Sequence, residues 1–392
     1  MKKQFYAMAF VLLVISLFSC QKPGKIDHYI VAAEKDYFYG WPANNGVWQW
    51  GDEILVGFTR GNFSVKSGHN ISGRQESLLA RSVNGGKTWE VIDPSDFMDD
   101  ENEKFIPDNK SYFENPLDFH HNGFALRVFA SGYHGNEDTQ GGFYYTYDRG
   151  NTWQGPYYFG DINDHSEIKD KIITARTDYI ITGKHQAYFF FSANPKEKVK
   201  ANRIGCLKTV DGGLSFKFLS WITPQVDDIN TVMSSTVRIS DDKFVLTYRK
   251  IYHENIESLA DKTLQRQKRN NAIEVMVSED ACLTWNFLSS VKTMESDSNP
   301  PALNVLKDGR LVCIYGDRHN LLLAGKYSKD EGKTWGEEFT IRENTAGSSD
   351  FGYPRLVQRK DGKLVAIYYW SSPENVQEHI AASIWDPKVV IQ

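Results

Sequence analysis

One eight-residue pattern occurs five times in the chain: a hydroxyl residue, any residue, Asp or Asn, any residue, usually Gly, any residue, a hydroxyl residue and an aromatic ring. The copies are Ser82–Trp89, Thr146–Trp153, Thr209–Phe216, Ser278–Trp285 and Ser328–Trp335. The Asp or Asn side chain can accept hydrogen bonds from backbone N–H groups just downstream, Gly permits a positive φ, and the aromatic ring packs onto the sheet below. The pattern therefore predicts a tight turn between two antiparallel strands.

The spacing of the copies indicates a repeat architecture. Their third positions, at 84, 148, 211, 280 and 330, lie 64, 63, 69 and 50 residues apart, a period typical of propeller blades. Short apolar or alternating runs such as Glu53–Phe58 and Lys243–Tyr248 are separated by Gly, Asp and Asn, and no stretch has sustained helical periodicity. We predict an all-β, six-bladed β-propeller, with seven blades as the alternative. We expect the last strand, Ile380–Trp385, to pair with the N-terminal end and close the ring.

The N-terminus has the pattern of a secretion signal. Two lysines precede an apolar run at 5–18, which is too short to span a membrane, and small Ser19 precedes Cys20, as at a bacterial lipoprotein processing site. We predict lipidation of Cys20 and attachment to the bacterial cell envelope, in the periplasm or on the outer-membrane surface; ordinary signal cleavage is the alternative. The expected boundaries are a signal peptide at 1–20, a linker at 21–28 and a propeller at 29–392.

Composition and motifs exclude several classes of function. The net charge of −5 gives no reason to expect nucleic acid as a partner. Beyond Cys20 three cysteines remain, an odd number, so we expect buried thiols and no disulfide framework, with a single Cys206–Cys282 bridge as the alternative. The histidines lack metal-ligand spacing, and no phosphate loop, dinucleotide fingerprint or Gly-x-Ser-x-Gly motif occurs. We therefore predict neither a cofactor nor a metal.

The repeat resembles the Asp-box of the sialidase superfamily, and a second segment strengthens the resemblance. Residues 350–369 resemble the sialidase stretch in which a Tyr precedes a hairpin with Asp-Gly at its turn. The resemblance implies that Tyr353 is the nucleophile, since a neutral nucleophile avoids repulsion with a substrate carboxylate. A Tyr that only stacks on sugar is the alternative. Sialidases also hold this carboxylate with arginines, and Arg249 and Arg318 resemble two of them; a surface ion pair is the alternative for each.

Other sialidase elements are absent. The Arg-Ile-Pro element is missing at Gly40–Gly46, where it is expected. No carboxylate stands near Ser234, where the acidic partner of the Tyr is expected. The aspartate that acts as general acid in sialidases has no counterpart at Gly68–Ile71. The remaining resemblance implies a scaffold for acidic glycans more than a complete sialidase site.

His69 indicates a different chemistry, because an imidazole titrates near neutrality and can act as general acid or base. Some propellers that resemble this chain use a catalytic His with arginines against uronic-acid glycans, including rhamnosyl-glucuronate units. Here His69 would act with Arg60 and Glu53, while Arg176 could reach the pore and Arg355 could bind substrate.

The sequence thus predicts a secreted, sialidase-like exo-glycoside hydrolase that acts on a terminal acidic sugar of an oligosaccharide or polysaccharide. Two alternatives stay open. One is a His-dependent hydrolase or lyase that cleaves rhamnosyl-glucuronate or related uronate linkages, and the other is a non-catalytic glycan-binding lipoprotein.

Overall fold

The computed structural model describes residues 24–66, 68–94, 114–130, 141–196, 201–252, 271–294 and 299–388 of the chain. The expected signal peptide and its Cys20 lie outside these ranges, as do residues 21–23 of the expected linker. The lipid anchor and the domain boundaries therefore stay predictions. Among the described residues, no helix is both long enough and apolar enough to cross a membrane.

Six antiparallel sheets form the blades of a propeller, and the six-bladed prediction is confirmed. Blade 1 contains β2 (Tyr37–Gly40), β3 (Gly46–Trp50), β4 (Glu53–Phe63), β5 (Ile71–Ser82) and β6 (Glu90–Ile92). The described strands of blade 2 are β7 (Ala125–Ala130), β8 (Gly141–Thr146) and β9 (Gln154–Tyr158), followed by a 3-10 helix, Gly160–Asp164. Blade 3 contains β10 (Lys171–Gly183), β11 (Gln186–Pro195), β12 (Arg203–Thr209) and β13 (Lys217–Trp221).

The other blades repeat the four-stranded order. Blade 4 contains β14 (Ile229–Arg238), β15 (Phe244–Tyr252), β16 (Asn271–Ser278) and β17 (Asn286–Met294). Blade 5 contains β18 (Ala302–Val305), β19 (Leu311–Asp317), β20 (Leu322–Ser328) and β21 (Phe339–Arg342). Blade 6 contains β22 (Gly352–Gln358), β23 (Leu364–Ser372), β24 (Asn375–Trp385) and, from the other end of the chain, β1 (Asp27–Ala32).

The ring closes as predicted, through a strand from each end of the chain. β1 pairs antiparallel with β24, with Asp27 opposite Ile384 and Tyr29 opposite Ala382. Apolar side chains of blades 6 and 1, among them Phe58 and Tyr369, are fully buried in one cluster beside this closure. Closure thus buries the core between the blades and removes the open sheet edges.

Each Asp-box turn is held by its own side chains. In the fifth copy the Ser328 hydroxyl accepts from the backbone N–H of Gly332 at 2.8 Å. Asp330 accepts from the N–H and hydroxyl of Thr334 at 2.9 and 2.6 Å. Gly332 has a φ of 91°, a conformation that costs little only without a Cβ. The repeated residues are therefore explained by the turn they build.

The two ends of the inner strands lie on opposite faces of the ring. In blade 4 the Asp-box residue Ser278 pairs with Phe244, which pairs with Arg238 at the end of β14. At the other end of the sheet Ile229, the first residue of β14, pairs with Tyr252. We call the side that carries the Asp boxes the box face, and the side where the inner strands begin the top face.

The three cysteines among the described residues are buried and unpaired, as expected: Cys206, Cys282 and Cys313. Burial raises the pKa of the Cys206 thiol well above its ordinary value. These thiols act as small apolar side chains in the core between the blades.

Candidate active site

Three of the inner strands have a break in regular pairing near the top face. Pairing is interrupted at 175–179 in β10, at 232–235 in β14 and at 352–355 in β22. Within two of these breaks, Met233 and Tyr353 have φ angles of 58° and 49°, which are costly for residues with a Cβ. Bulges change the direction of side chains and are enriched beside active sites, so these breaks indicate where a functional site is expected.

In blade 1 the corresponding break contains a short helix, α1 (Pro42–Asn45). β2 and β3 both pair with β4, and α1 fills the gap between them. Arg355 holds this helix, since its Nη2 donates to the carbonyl of Ala43 and, at 2.7 Å, to that of Thr177. Burial lowers the pKa of Arg355 to about 10, although Asp178 opposes that effect. Because α1 contacts strands of blades 1, 2, 3 and 6, it lies across the axis.

The inner strands also line an axial cavity of about 390 Å³ that extends past Thr177 toward the box face. Its polar wall contains Asp178, which accepts from the backbone N–H and the hydroxyl of Thr236 at 3.2 and 2.9 Å. Burial raises the pKa of Asp178, against the hydrogen bonds that it accepts. Asp178 and Thr236 thus bind one another within the wall of this cavity.

A cluster of interacting polar groups lies on the top face between blades 1, 5 and 6. His69, between β4 and β5, contacts Asp350 with its Nδ1 at 2.7 Å from Oδ1. The same oxygen accepts from the Tyr369 phenol at 2.5 Å and lies 3.5 Å from Nη2 of Arg318. The His69 side chain is 35% exposed and that of Asp350 is 3% exposed. A solvent-facing imidazole therefore rests on a buried carboxylate.

Hydrogen bonds and a neighbouring cation stabilise the ionised form of Asp350. Burial alone would raise the pKa of Asp350, but hydrogen bonds from His69 and Tyr369 and the charge of Arg318 bring it below its ordinary value. Burial, followed by the charge of Asp350, raises the pKa of Tyr369. Asp350 is thus an anion and Tyr369 a neutral donor, which fixes the direction of the hydrogen bond between them.

Two aromatic rings set the orientation of His69. The ring of Trp41 meets it edge-on at 4.9 Å between centroids, and that of Tyr353 at 6.2 Å. Tyr353 is 3% exposed and also packs against Tyr369 at 5.8 Å. The structure therefore brings three predicted site residues together: His69, Tyr353 and Arg318.

A second carboxyl lies beside this cluster. Glu378, near the start of β24, is 1% exposed, and its Oε1 accepts from Nδ2 of Asn70 at 2.8 Å and from the Ser348 hydroxyl at 3.0 Å. Its Oε2 is buried without a hydrogen-bond partner among the described residues. Burial raises the pKa of Glu378 to about 7, and the nearby charge of Asp350 adds to this effect. Glu378 therefore takes up a proton at a higher pH than an ordinary glutamate does.

The other predicted arginines lie in different surroundings. Arg249 on β15 is 7% exposed, and its Nε is buried without a hydrogen-bond partner among the described residues. Arg176 lies in the β10 break, close enough to Arg355 for their charges to interact. Arg60 binds Glu76 at 2.6 Å, at the top-face end of β4.

Glu53 lies away from the cluster, at the start of β4. It binds Arg81 and, at 2.8 Å, Arg149 within the second Asp box. It therefore stands on the box face, opposite His69.

Sequence reasoning missed Asp350, Tyr369 and Glu378 as site residues. Asp350 is the first residue of the segment 350–369 that contains Tyr353, and Glu378 lies two residues before the apolar strand Ile380–Trp385. A charged residue at the edge of a buried strand was the available signal for both.

The fold and the site together define a β-propeller with a polar cluster on its top face. The BNR repeat-like domain family matches residues 101–366, and the chain belongs to this family. No curated protein is detectably similar to it.

Solved structures confirm the propeller fold. A protein of unknown function from Dyadobacter fermentans is 18% identical, with a TM-score of 0.65 over 92% of this chain and 99% of that one. A GH93 α-L-arabinofuranosidase of Fusarium graminearum is 14% identical, with a TM-score of 0.58 over 92% and 97%. The NanB sialidase of Streptococcus pneumoniae is 10% identical, with a TM-score of 0.53 over 89% and 68%. At these identities the similarity concerns the fold, and the recognised resemblance to the sialidase superfamily is confirmed.

Proposed function

We propose that the protein is a glycan-cleaving enzyme that acts on a terminal acidic sugar and uses His69, oriented by Asp350, for proton transfer. The observation that carries this proposal is the 2.7 Å contact between Nδ1 of His69 and Oδ1 of Asp350. Because Asp350 is ionised, Nδ1 is assigned the proton, which leaves Nε2 as the nitrogen that can exchange a proton with a substrate. An imidazole held in this way can give a proton to a leaving oxygen or take one from a sugar carbon or water.

The acidic character of the substrate is inferred from Arg249. A guanidinium is charged at any physiological pH, and burying it without an anionic partner costs several kcal/mol. Arg249 is 7% exposed, and no described carboxylate pairs with it. A sugar carboxylate would supply the missing charge, and the fork of an arginine fits it with two hydrogen bonds. Arg318 adds a second cation beside Asp350.

A sialidase-like mechanism with Tyr353 as nucleophile is the second candidate. Its support is the position of Tyr353, 6.2 Å from the His69 ring and held in a left-handed backbone conformation. The names of two structural neighbours, an arabinofuranosidase and a sialidase, also support a glycan as the substrate. We favour His69 because its side chain is 35% exposed whereas Tyr353 is 3% exposed.

We also infer that the enzyme works in the bacterial cell envelope, anchored through Cys20. The support is the apolar run at 5–18 followed by Ser19 and Cys20. Metabolic labelling with a fatty acid tests this, since wild type should incorporate the label and Cys20→Ala should not. Label in the Cys20→Ala protein would contradict the anchor.

The function is tested with a panel of sialosides, glucuronides and galacturonides, with products identified by mass and by the absorbance of unsaturated uronates. We expect cleavage of at least one acidic glycan, and a loss of roughly 10²–10⁴ in kcat for His69→Ala. The matched control is His120→Ala, because His120 is exposed and precedes β7. Binding without turnover would instead favour a glycan-binding protein.

Tyr353→Phe separates the two mechanisms. We expect activity within about tenfold of wild type, because Tyr353 is not the nucleophile in the favoured mechanism. A tenfold loss corresponds to about 1.4 kcal/mol of barrier. Release of sialic acid together with a much larger loss in Tyr353→Phe would support the sialidase-like candidate. An unsaturated product would support cleavage of a uronate linkage by elimination.

A further inference from the structure

Glu378 is a buried carboxyl that neither the turns nor the core require. It lies at the top-face end of β24. On one side of it His379 pairs with Trp370 of β23, and on the other Asn375 pairs with Ser372. The next residues on the same side of the strand, Ile380 and Ala382, belong to the apolar cluster between blades 6 and 1. A glutamate in such a place loses its hydration, so its survival there needs specific partners or a function.

Its partners are the residues that support His69. Asn70 joins the two carboxyls, since its backbone N–H donates to Oδ2 of Asp350 at 3.0 Å and its Nδ2 donates to Oε1 of Glu378 at 2.8 Å. Ser348 makes a second link, because its hydroxyl donates to Oε1 of Glu378 and accepts from the N–H of Asp350 at 3.1 Å. Glu378 thus contacts the residue next to His69 and the segment that carries the partner of His69.

We propose that Glu378 is a positioning residue that holds the loop of His69 and sets the proton affinity of its imidazole by gaining or losing a proton of its own. This inference rests on the proposed function, in which His69 transfers the proton. As a neutral acid, Glu378 accepts from Asn70 and Ser348 and leaves one negative charge, on Asp350, beside the imidazole. As an anion, it adds a second negative charge, which favours the imidazolium.

The titratable and charged groups around Glu378 are consistent with this role. Asp350 faces it from the segment before β22, and Arg318 faces Asp350 from the end of β19. Asp36, on the turn between β1 and β2, is exposed and binds Gln377 through its backbone N–H. On its own strand His379 is buried, and burial lowers the pKa of His379 to about 4, so it stays neutral near pH 7. None of these groups donates to Oε2 of Glu378, so that oxygen is where the proton resides.

The test is the pKa of His69 in the full-length protein, measured by NMR titration of its imidazole without any substrate. A His69→Gln sample assigns the signal. Glu378→Gln keeps an acceptor for Asn70 and Ser348 but cannot ionise. We expect the pKa of His69 to be lower in Glu378→Gln than in wild type by roughly half a unit or more, because the second negative charge is gone. The limb of the activity profile that His69 sets should move to lower pH by the same amount.

The matched control is Glu374→Gln, which removes an exposed carboxylate four positions earlier. It should leave the pKa of His69 unchanged. An unchanged pKa in Glu378→Gln would overturn the proposal. If that variant does not fold, infrared titration of wild type still decides, since a protonated carboxyl that ionises near pH 7 supports the proposal and its absence contradicts it.

Failure of the proposed function would look different. In that case His69→Ala would keep full activity, or no acidic glycan would be cleaved, while the titration of His69 would still respond to Glu378.

Discussion

The Tyr369 phenol donates to Oδ1 of Asp350 at 2.5 Å, the same oxygen that His69 contacts at 2.7 Å. Arg318 donates to the same phenol oxygen from its other side at 2.9 Å. Tyr369 therefore connects the cation of blade 5 to the anion of blade 6, and it limits how far Asp350 can turn away from the imidazole.

Tyr369→Phe should weaken catalysis without unfolding the protein. The change keeps the buried ring but leaves Asp350 with one donor fewer, which costs roughly 1–3 kcal/mol of stability. We expect kcat/KM on the acidic glycan to fall about tenfold or more, because the carboxylate no longer holds His69 in one orientation. Urea unfolding and steady-state kinetics measure the two effects.

The matched control is Tyr368→Phe on the same strand. The Tyr368 phenol contacts the Ser383 hydroxyl at 2.5 Å, away from His69. It should lose similar stability and keep its activity. Equal activity in the two variants would contradict a role for Tyr369 at the site.

Arg249 gives a prediction in which stability and binding change in opposite directions. Arg249→Met should raise the thermal midpoint of the ligand-free protein or leave it unchanged, because a buried cation that no described carboxylate pairs with is replaced by an apolar chain of similar length. The same change should weaken binding of an acidic sugar by roughly tenfold or more, because no described carboxylate pairs with Arg249 in place of the sugar. Calorimetry of unfolding and of binding measures both.

Arg238→Met is the control, since Arg238 is at the far end of the same strand pair and binds Asp241 at 2.6 Å. It should leave binding unchanged. A loss of stability in Arg249→Met with no change in binding would mean that Arg249 serves the fold alone.

The turns and the number of blades could be predicted because their causes are local. Ser328, Asp330 and Gly332 lie within five positions of one another, and their hydrogen bonds stay inside one turn. A repeated turn at regular spacing then predicts repeated sheets.

The site could be predicted only in part, because its contacts are distant in sequence. His69 and Asp350 are 281 positions apart, and Asn70 and Glu378 are 308 apart. The resemblance to sialidases indicated Tyr353 and Arg318 but not the carboxyls beside them. The helix α1 was equally hidden, because a break in a strand, not helical periodicity, produces it.

The Asp boxes should affect stability and not activity. Asp330→Ala removes the acceptor for the Thr334 N–H and hydroxyl, and should cost roughly 1–3 kcal/mol of unfolding free energy. Activity at moderate temperature should not change, since the box lies on the face opposite His69. Asp52→Ala, which changes an exposed aspartate of the β3–β4 turn, should leave both unchanged. A large loss of activity in folded Asp330→Ala would place function on the box face.

Acid should destabilise the fold through histidines that are buried in the neutral form. Burial lowers the pKa of His379 to about 4, and the pKa of His28, on the closing strand β1, also falls to about 4 because of burial. Between about pH 6.5 and pH 4 the unfolded chain binds protons that the folded protein does not, so stability falls as the pH is lowered through this window. For His379, which is 2% exposed, the loss is at most roughly 3 kcal/mol.

Glu378 acts in the opposite direction, because its raised pKa makes the folded protein the better proton acceptor below about pH 7. The comparison must therefore be made between variants. His379→Gln cannot take up the proton, so its urea midpoint should fall less between pH 7.5 and 4.5 than that of wild type, while exposed His120→Gln should behave like wild type. Equal pH dependence in all three proteins would mean that His379 is already protonated in the folded state or that its site opens before it titrates.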